Sequence, residues 1–140
     1  MICLPADLKI RTVSLVRCVA VHDQILAKYP GARGIRAPQE LEAAIGVQLM
    51  GYRDTFVEIG VDLAVSLAIR HPFVDGNKRT AVGAMFTFFD LNLIDFERSD
   101  PRAMARAIEQ IVADPDDPLK WKKADLVAYV ESLNPFRLDR

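Results

Sequence analysis

The sequence is poor in the residues that mark whole function classes. It has two cysteines, Cys3 and Cys18, and two histidines, His22 and His71. That excludes a disulfide framework and a clustered zinc site of the paired C-x-x-C kind. The formal charge is −1 over 140 residues, so no global basic field argues for direct nucleic-acid binding. No stretch reaches the ~20 apolar residues of a membrane span. Asp7, Lys9, Arg11 and Arg17 interrupt the N-terminal segment, and the cytosol is the expected location. There is no internal repeat and no low-complexity segment. No run alternates with period two, so β content is expected to be slight.

What is plentiful is apolar surface, 51% of residues. The length suits one domain with a real core, expected over 1–140 with its packed part at about 10–133. Helical periodicity divides that part into six segments. Ile10 to Tyr29 is the first, with Val13, Val16 and Ala20 on one row and Val21, Ile25 and Lys28 on another; Pro30-Gly31 stops it. Cys18 is expected to pack inside. His22-Asp23 reads as a partly exposed polar pair, or functionally as a contact at a site rim. The loop from Pro30 to Ala37 carries Arg33 and Arg36, which read as solvated or, alternatively, as part of a substrate flap. Pro38 to Met50 is a short helix with Leu41, Ala44, Ile45 and Leu49 inward. Asp54 is the expected N-cap of the next helix, Thr55 to Arg70, whose stripe is Phe56, Ile59, Leu63 and Leu67, widened by Val65, Ala68 and Ile69. Pro72 forces His71 out of that helix.

Asn77 to Leu91 is apolar on nearly all sides from Ala81 onward, which marks a helix wrapped by others. Asn92 is its expected C-cap. Asp100-Pro101 opens a helix to about Val112, with Met104, Ala107, Ile108 and Ile111 inward. Asp114 to Pro118 is an acidic turn without the spacing of a calcium loop. The last helix runs from Leu119 to Leu133 with Leu126, Val127 and Val130 buried, and Asn134 to Arg140 is expected to fray. The sum is an all-α, single-domain six-helix bundle with a buried central helix.

The polar residues gather at the tip of that helix, in His71-Pro-Phe-Val-Asp-Gly-Asn-Lys-Arg79. A helix N-terminus offers free N–H groups and the positive end of a dipole, hence an anion site. His71 can take a proton near neutral pH and suits a general base for a hydroxyl. Asp75 is a hard oxygen ligand suited to Mg²⁺ beside phosphates. Gly76 lets the backbone approach a ligand. Asn77 offers an amide, Lys78 a point charge and Arg79 a fork; Phe73 anchors the loop. Together they describe a pocket for a di- or triphosphate beside a base, and a reaction that transfers part of a nucleotide to a hydroxyl.

The stretch resembles the signature of the Fic/Doc family, H-x-F-x-[D/E]-[A/G]-N-[G/K]-R. On equal residue usage a chance match in a chain of this size is on the order of one in a million. Lys78 after Asn77 is similar to the Doc (death-on-curing) branch. His22-Asp23 with Ile25-Leu26-Ala27-Lys28-Tyr29-Pro-Gly31, Leu41 to Ile45, and Asn77 to Asn92 extend the resemblance over roughly residues 10 to 95. It implies the small all-α Fic core and an ATP- and Mg²⁺-dependent transferase acting on protein hydroxyls. The Doc-like form is the toxin of a toxin–antitoxin pair. It is a kinase that passes the γ-phosphate of ATP to a Ser/Thr hydroxyl of a translation protein such as elongation factor Tu. The wider Fic branch transfers AMP instead. By position, His71 is the expected base and Asp75 the metal ligand. Asn77, Lys78 and Arg79 are the expected phosphate holders, with Gly76 lining the anion nest.

Two departures bear on this. The Fic signature continues to a second arginine where this chain has Val82, which favours the Doc-like over the AMP-transferring reading. The next position, an asparagine in the Doc branch, is Gly83. Arg70, Arg33 and Arg36 are the candidates for the missing charge. The self-silencing pattern [S/T]-x-x-x-E-[G/N] is absent: no Ser or Thr is followed by Glu four residues on. Silencing is therefore expected in trans, from an antitoxin segment that folds on binding. The reading of another class is a catalytically weak Fic-fold binding or regulatory protein.

Overall fold

The computed structural model describes residues 10–50, 55–98, 100–112 and 122–138. Cys3, the break Gly51–Asp54, the acidic turn Asp114–Pro118 and the side chain of Ile111 lie outside the described residues. Among the described residues there are six α-helices: α1 Leu15–Lys28, α2 Pro38–Gly46, α3 Phe56–Arg70, α4 Asn77–Leu91, α5 Pro101–Val112 and α6 Lys123–Ser132. The all-α expectation holds, with one addition. β1 (Ile94–Phe96) pairs antiparallel with β2 (Pro135–Arg137), Asp95 opposite Phe136. The tail expected to fray is thus tied down as far as Leu138, whose amide donates to the Leu93 carbonyl at 2.7 Å. Three-residue strands are too short to show an alternating pattern. They meet because Leu93 (φ 62°) and Asn134 (φ 55°) turn the chain out of α4 and α6 in the left-handed conformation.

α4 is the axis. It packs on α3, α1 and α5 and buries Ala81, Ala84, Met85, Phe88 and Phe89. Each of the large side chains contributes about 1.5–3 kcal/mol by leaving water. α3 is nearly as enclosed, from Phe56 to Ala68. The two helices approach closely at Gly60, where a Cβ would lie 2.6 Å from the Phe89 ring. On the other side α1 crosses α4 at Gly83, where a Cβ would lie 2.8 Å from Val21 Cγ1. A side chain at this position would need Val21 or α1 to shift.

Several expectations need correction. α1 starts at Leu15, capped by Ser14, whose hydroxyl accepts from the Arg17 amide. The residues before it are clamped by two side-chain amides. Asn92 bonds the Arg11 N–H and C=O at 3.0 and 2.8 Å, and Gln48 bonds those of Val13 at 2.8 and 3.1 Å. The inward row of α1 is Cys18, His22 and Leu26, while Val16 is 77% exposed. A reading by apolar residues alone chose the wrong row, because a polar ring fills one of the three inward places. α2 tightens into a 3₁₀ turn over Val47–Leu49, which rotates Gln48 inward and leaves Leu49 76% exposed. Thr55 caps α3, its hydroxyl accepting from the Glu58 amide at 3.2 Å. Ile69 is 55% exposed. Asn92 is the C-cap of α4 as expected. α6 is shorter than expected, and Lys123 at its start meets the buried Asp62 of α3 at 2.7 Å. No helix among the described residues is long and apolar enough to cross a membrane.

Candidate active site

The turn from α3 to α4 is held from outside. His71 caps α3 with φ 48° and ψ 56°, because Pro72 bars it from the helix. The last carbonyls of α3 lack intrahelical donors. Arg36 supplies them: its Nε donates to the His71 carbonyl at 2.7 Å and a terminal nitrogen to the Arg70 carbonyl at 2.8 Å. Residues 34–37 also run against 72–74 as an antiparallel bridge, Ile35 opposite Phe73. The Arg36 amide donates to Pro72 O at 2.8 Å and the Val74 amide to Gly34 O at 3.0 Å. The loop carrying Arg33 and Arg36 is therefore a flap bonded to the motif through its backbone. Arg36 acts on carbonyls, and Arg33 is exposed.

Under the motif lies His22, which is 2% exposed. Its ring stacks on Phe73, centroids 3.8 Å apart and 7° from parallel. Its Nε2 lies 2.8 Å from the Asp75 carbonyl, which fixes Nε2 as the protonated, donating nitrogen. The earlier reading as a partly exposed pair applies to Asp23 alone. The Asn77 amide makes two bonds to the Phe73 backbone, Oδ1 accepting from N and Nδ2 donating to O, both at 2.9 Å. Asn77 thus shapes the loop first, and keeps one Nδ2 hydrogen for a ligand.

The surface of this assembly is a cavity of about 460 Å³ lined by His71, Asp75, Gly76, Asn77, Lys78 and Arg79, closed on the far side by Ala105 and Glu109 of α5. Gly76 is the N-cap at φ 79°, a conformation that favours glycine, and no side chain caps the helix. The first amide with an intrahelical acceptor is that of Thr80, to Gly76 O at 2.9 Å. The amides of Asn77, Lys78 and Arg79 precede it at the dipole's positive end. Asp75 is oriented by two amides, Gly76 to Oδ1 at 2.8 Å and Ala32 of the flap to Oδ2 at 3.3 Å. The flap lies so close that a Cβ on Gly31 would sit 2.5 Å from Oδ2. Lys78 Nζ is 3.9 Å from Glu109 Oε1, a half-exposed pair worth a few tenths of a kcal/mol. The Arg79 guanidinium lies over the Tyr29 ring at 3.9 Å.

His71, Asp75, Gly76, Asn77, Lys78 and Arg79 are thus brought together. Arg70 is not among them. Its guanidinium pairs with Glu40 at 2.9 Å and bonds Ser66, facing a separate cavity on the α2 side. The residues follow the order of the Fic/Doc signature, and a model of the Fic/DOC family matches residues 12–89. The chain is a member of the Fic/Doc family.

It is also similar to the protein named "Protein kinase doc" of Escherichia phage P1, with 33% identity over 87 residues, covering 59% of this chain and 68% of that protein. In this Fic/Doc chain, the sequence offered His22 as a contact at the site rim but not as a buried positioning residue, and did not mark Glu109 as a wall of the cavity. The four-residue spacing of Cys18, His22 and Leu26 was the available signal for the first. Nothing local marks the second, which depends on how α5 packs. Among the described residues no group of three or more His, Cys, Asp or Glu comes together. A metal here would rest on Asp75 alone with phosphate oxygens and water, which is how Mg²⁺ is commonly held.

Proposed function

We propose that this Fic/Doc protein is a Doc-like toxin kinase. It passes the γ-phosphate of ATP to a serine or threonine hydroxyl of a translation protein, of which elongation factor Tu is the first candidate. The observation that carries this is the cavity in which an exposed imidazole, a carboxylate and an uncapped helix tip meet. A kinase name on a relative with 33% identity supports it. His71 takes the proton of the incoming hydroxyl. The oxygen attacks the terminal phosphorus, the bond to the β-phosphate oxygen breaks, and ADP leaves. The amides of α4, with Lys78 and Arg79, neutralise the charge on the phosphate oxygens. Asp75 would hold Mg²⁺, which would supply positive charge to neutralise the phosphates. Most of the rate then comes from positioning, which the Arg36, His22 and Asn77 contacts provide.

AMP transfer is the second reading, and Val82 in place of a second motif arginine counts against it. Purified protein incubated with elongation factor Tu and either γ-labelled or α-labelled ATP separates the two. Label on the target from γ-labelled ATP alone is expected. Label from α-labelled ATP would replace the kinase reading by AMP transfer. Equal growth inhibition by wild type and His71→Ala, expressed without a partner, would leave a binding protein. We also propose that the protein acts in the cytosol, as one domain, and that an antitoxin silences it in trans.

A further inference from the structure

A second cavity of about 600 Å³ adjoins the first, and Arg79 and Ala105 line both. Its floor is apolar, from Ile25, Val82, Gly83 and Phe86. Its remaining charged lining is Lys28, Arg102 and Arg106, and no carboxylate lines it. Arg102 and Arg106 stand four residues apart on α5, one turn above the other with Ala105 between, so they share a face. Burial of Met104, Ala107 and Ile108 in the core fixes that face toward the cavity. Among the described residues neither arginine has an ion-pair partner, whereas Arg70, Lys78 and Lys123 each meet a carboxylate. Four cations around one cavity, in a chain of formal charge −1, repel one another unless an anion lies between them.

We propose that Arg102 and Arg106 bind phosphates of the nucleoside triphosphate, so that α5 supplies the charge that α4 lacks at Val82 and Gly83. At position 83 a Cβ would lie 2.8 Å from Val21 Cγ1 of α1, so a side chain there could enter only if α1 shifted. Arg79 lies between the two cavities and continues the cationic track from the helix tip to α5. A polyphosphate has the length and charge to follow that track, and the apolar floor beyond suits the nucleoside. Arg36 and Arg70, which sequence reasoning offered for this role, are spent on carbonyls and on Glu40.

This inference rests on the nucleotide reading above, and calorimetric titration separates the two. Wild type, Arg102→Ala/Arg106→Ala and the control Arg17→Ala, a surface residue of α1, are titrated with Mg-ATP, tripolyphosphate, adenosine and a poly-glutamate peptide. The double variant is expected to bind Mg-ATP and tripolyphosphate at least about tenfold more weakly, the worth of one lost charge-assisted contact. Adenosine affinity, melting temperature and the control stay at wild-type values. Arg102→Lys/Arg106→Lys recovers part of the affinity. Wild-type Mg-ATP affinity in the double alanine variant would overturn the inference and leave the kinase reading standing. So would equal losses for adenosine and ATP, which would mean a structural role. Unchanged ATP affinity with lost poly-glutamate binding would make the cavity a groove for an acidic peptide and overturn it too. A wild type that binds neither Mg-ATP nor tripolyphosphate would overturn both readings together.

Discussion

His22 and Phe73 lie face to face, 3.8 Å between ring centroids, with the same imidazole bonded to the carbonyl of Asp75. One buried side chain from α1 therefore fixes both the anchor of the motif loop and the residue expected to hold the metal. Replacing it separates the two contacts. His22→Phe keeps the stack and leaves the Asp75 carbonyl without its donor. A stability loss of about 1–3 kcal/mol is expected, with phosphotransfer falling further than stability explains. His22→Ala loses the stack as well and should cost more. Urea denaturation beside initial rates with γ-labelled ATP measures both.

His71 sits at φ 48°, where a Cβ costs about 1 kcal/mol. His71→Gly and His71→Ala should both lose 100-fold or more in rate, the usual range for a general base being about 10² to 10⁴. Glycine should leave the fold about 1 kcal/mol more stable than alanine does. Equal midpoints in urea for the two variants would mean that the turn is not strained.

Glu109 places a carboxylate 3.9 Å from Lys78, in the wall of the phosphate cavity. Glu109→Gln removes both the competing partner and a repelling charge. Mg-ATP affinity should rise about two- to fivefold at low salt, within the worth of an exposed pair. The gain should shrink at ~1 M salt, where the Debye length is about 3 Å.

Gly83→Asn, which restores the residue of the Doc branch, should destabilise by about 1–3 kcal/mol, because its Cβ meets Val21. Val21→Ala in the same chain should recover part of that loss. Additive effects in this double-mutant cycle would show that the two positions do not touch.

Cys18 is buried, and desolvation pushes its thiol up to about 11. A neutral thiol is favoured in the folded protein, and the unfolded chain ionises first. Stability should be unaffected below about pH 9 and fall between about pH 9 and 11, by on the order of 2 kcal/mol from this group. Cys18→Ser should remove that part of the alkaline slope in denaturation curves.

Much of the bundle was legible because its inner helices obey simple rules. α4 ran from Asn77 to Leu91 as expected, with Asn92 as its cap, and Pro72 marked the end of α3. The motif residues were legible because their order in the chain is their order around the cavity. Cys18 was expected inside and is, but the rest of the α1 row was missed because a histidine stands where an apolar residue was sought. The 3₁₀ turn at Val47–Leu49 was missed because the gain there is Gln48 bonding Val13 from 35 residues away. Contacts across that much chain leave no local periodicity. The place of α5 beside the helix tip, and with it Glu109, Arg102 and Arg106, depends on tertiary packing alone.

The far end of α4 has its own set of ties. Asn92 grips the segment before α1, Leu93 receives the Leu138 amide, and β1 begins one residue later against β2. Both outer portions of the described chain are thus moored at one pole of a helix whose opposite pole carries the reactive groups. Residues at the reactive pole can change without loosening those moorings. Lineages sharing this scaffold could swap the leaving group or the acceptor while keeping the same architecture.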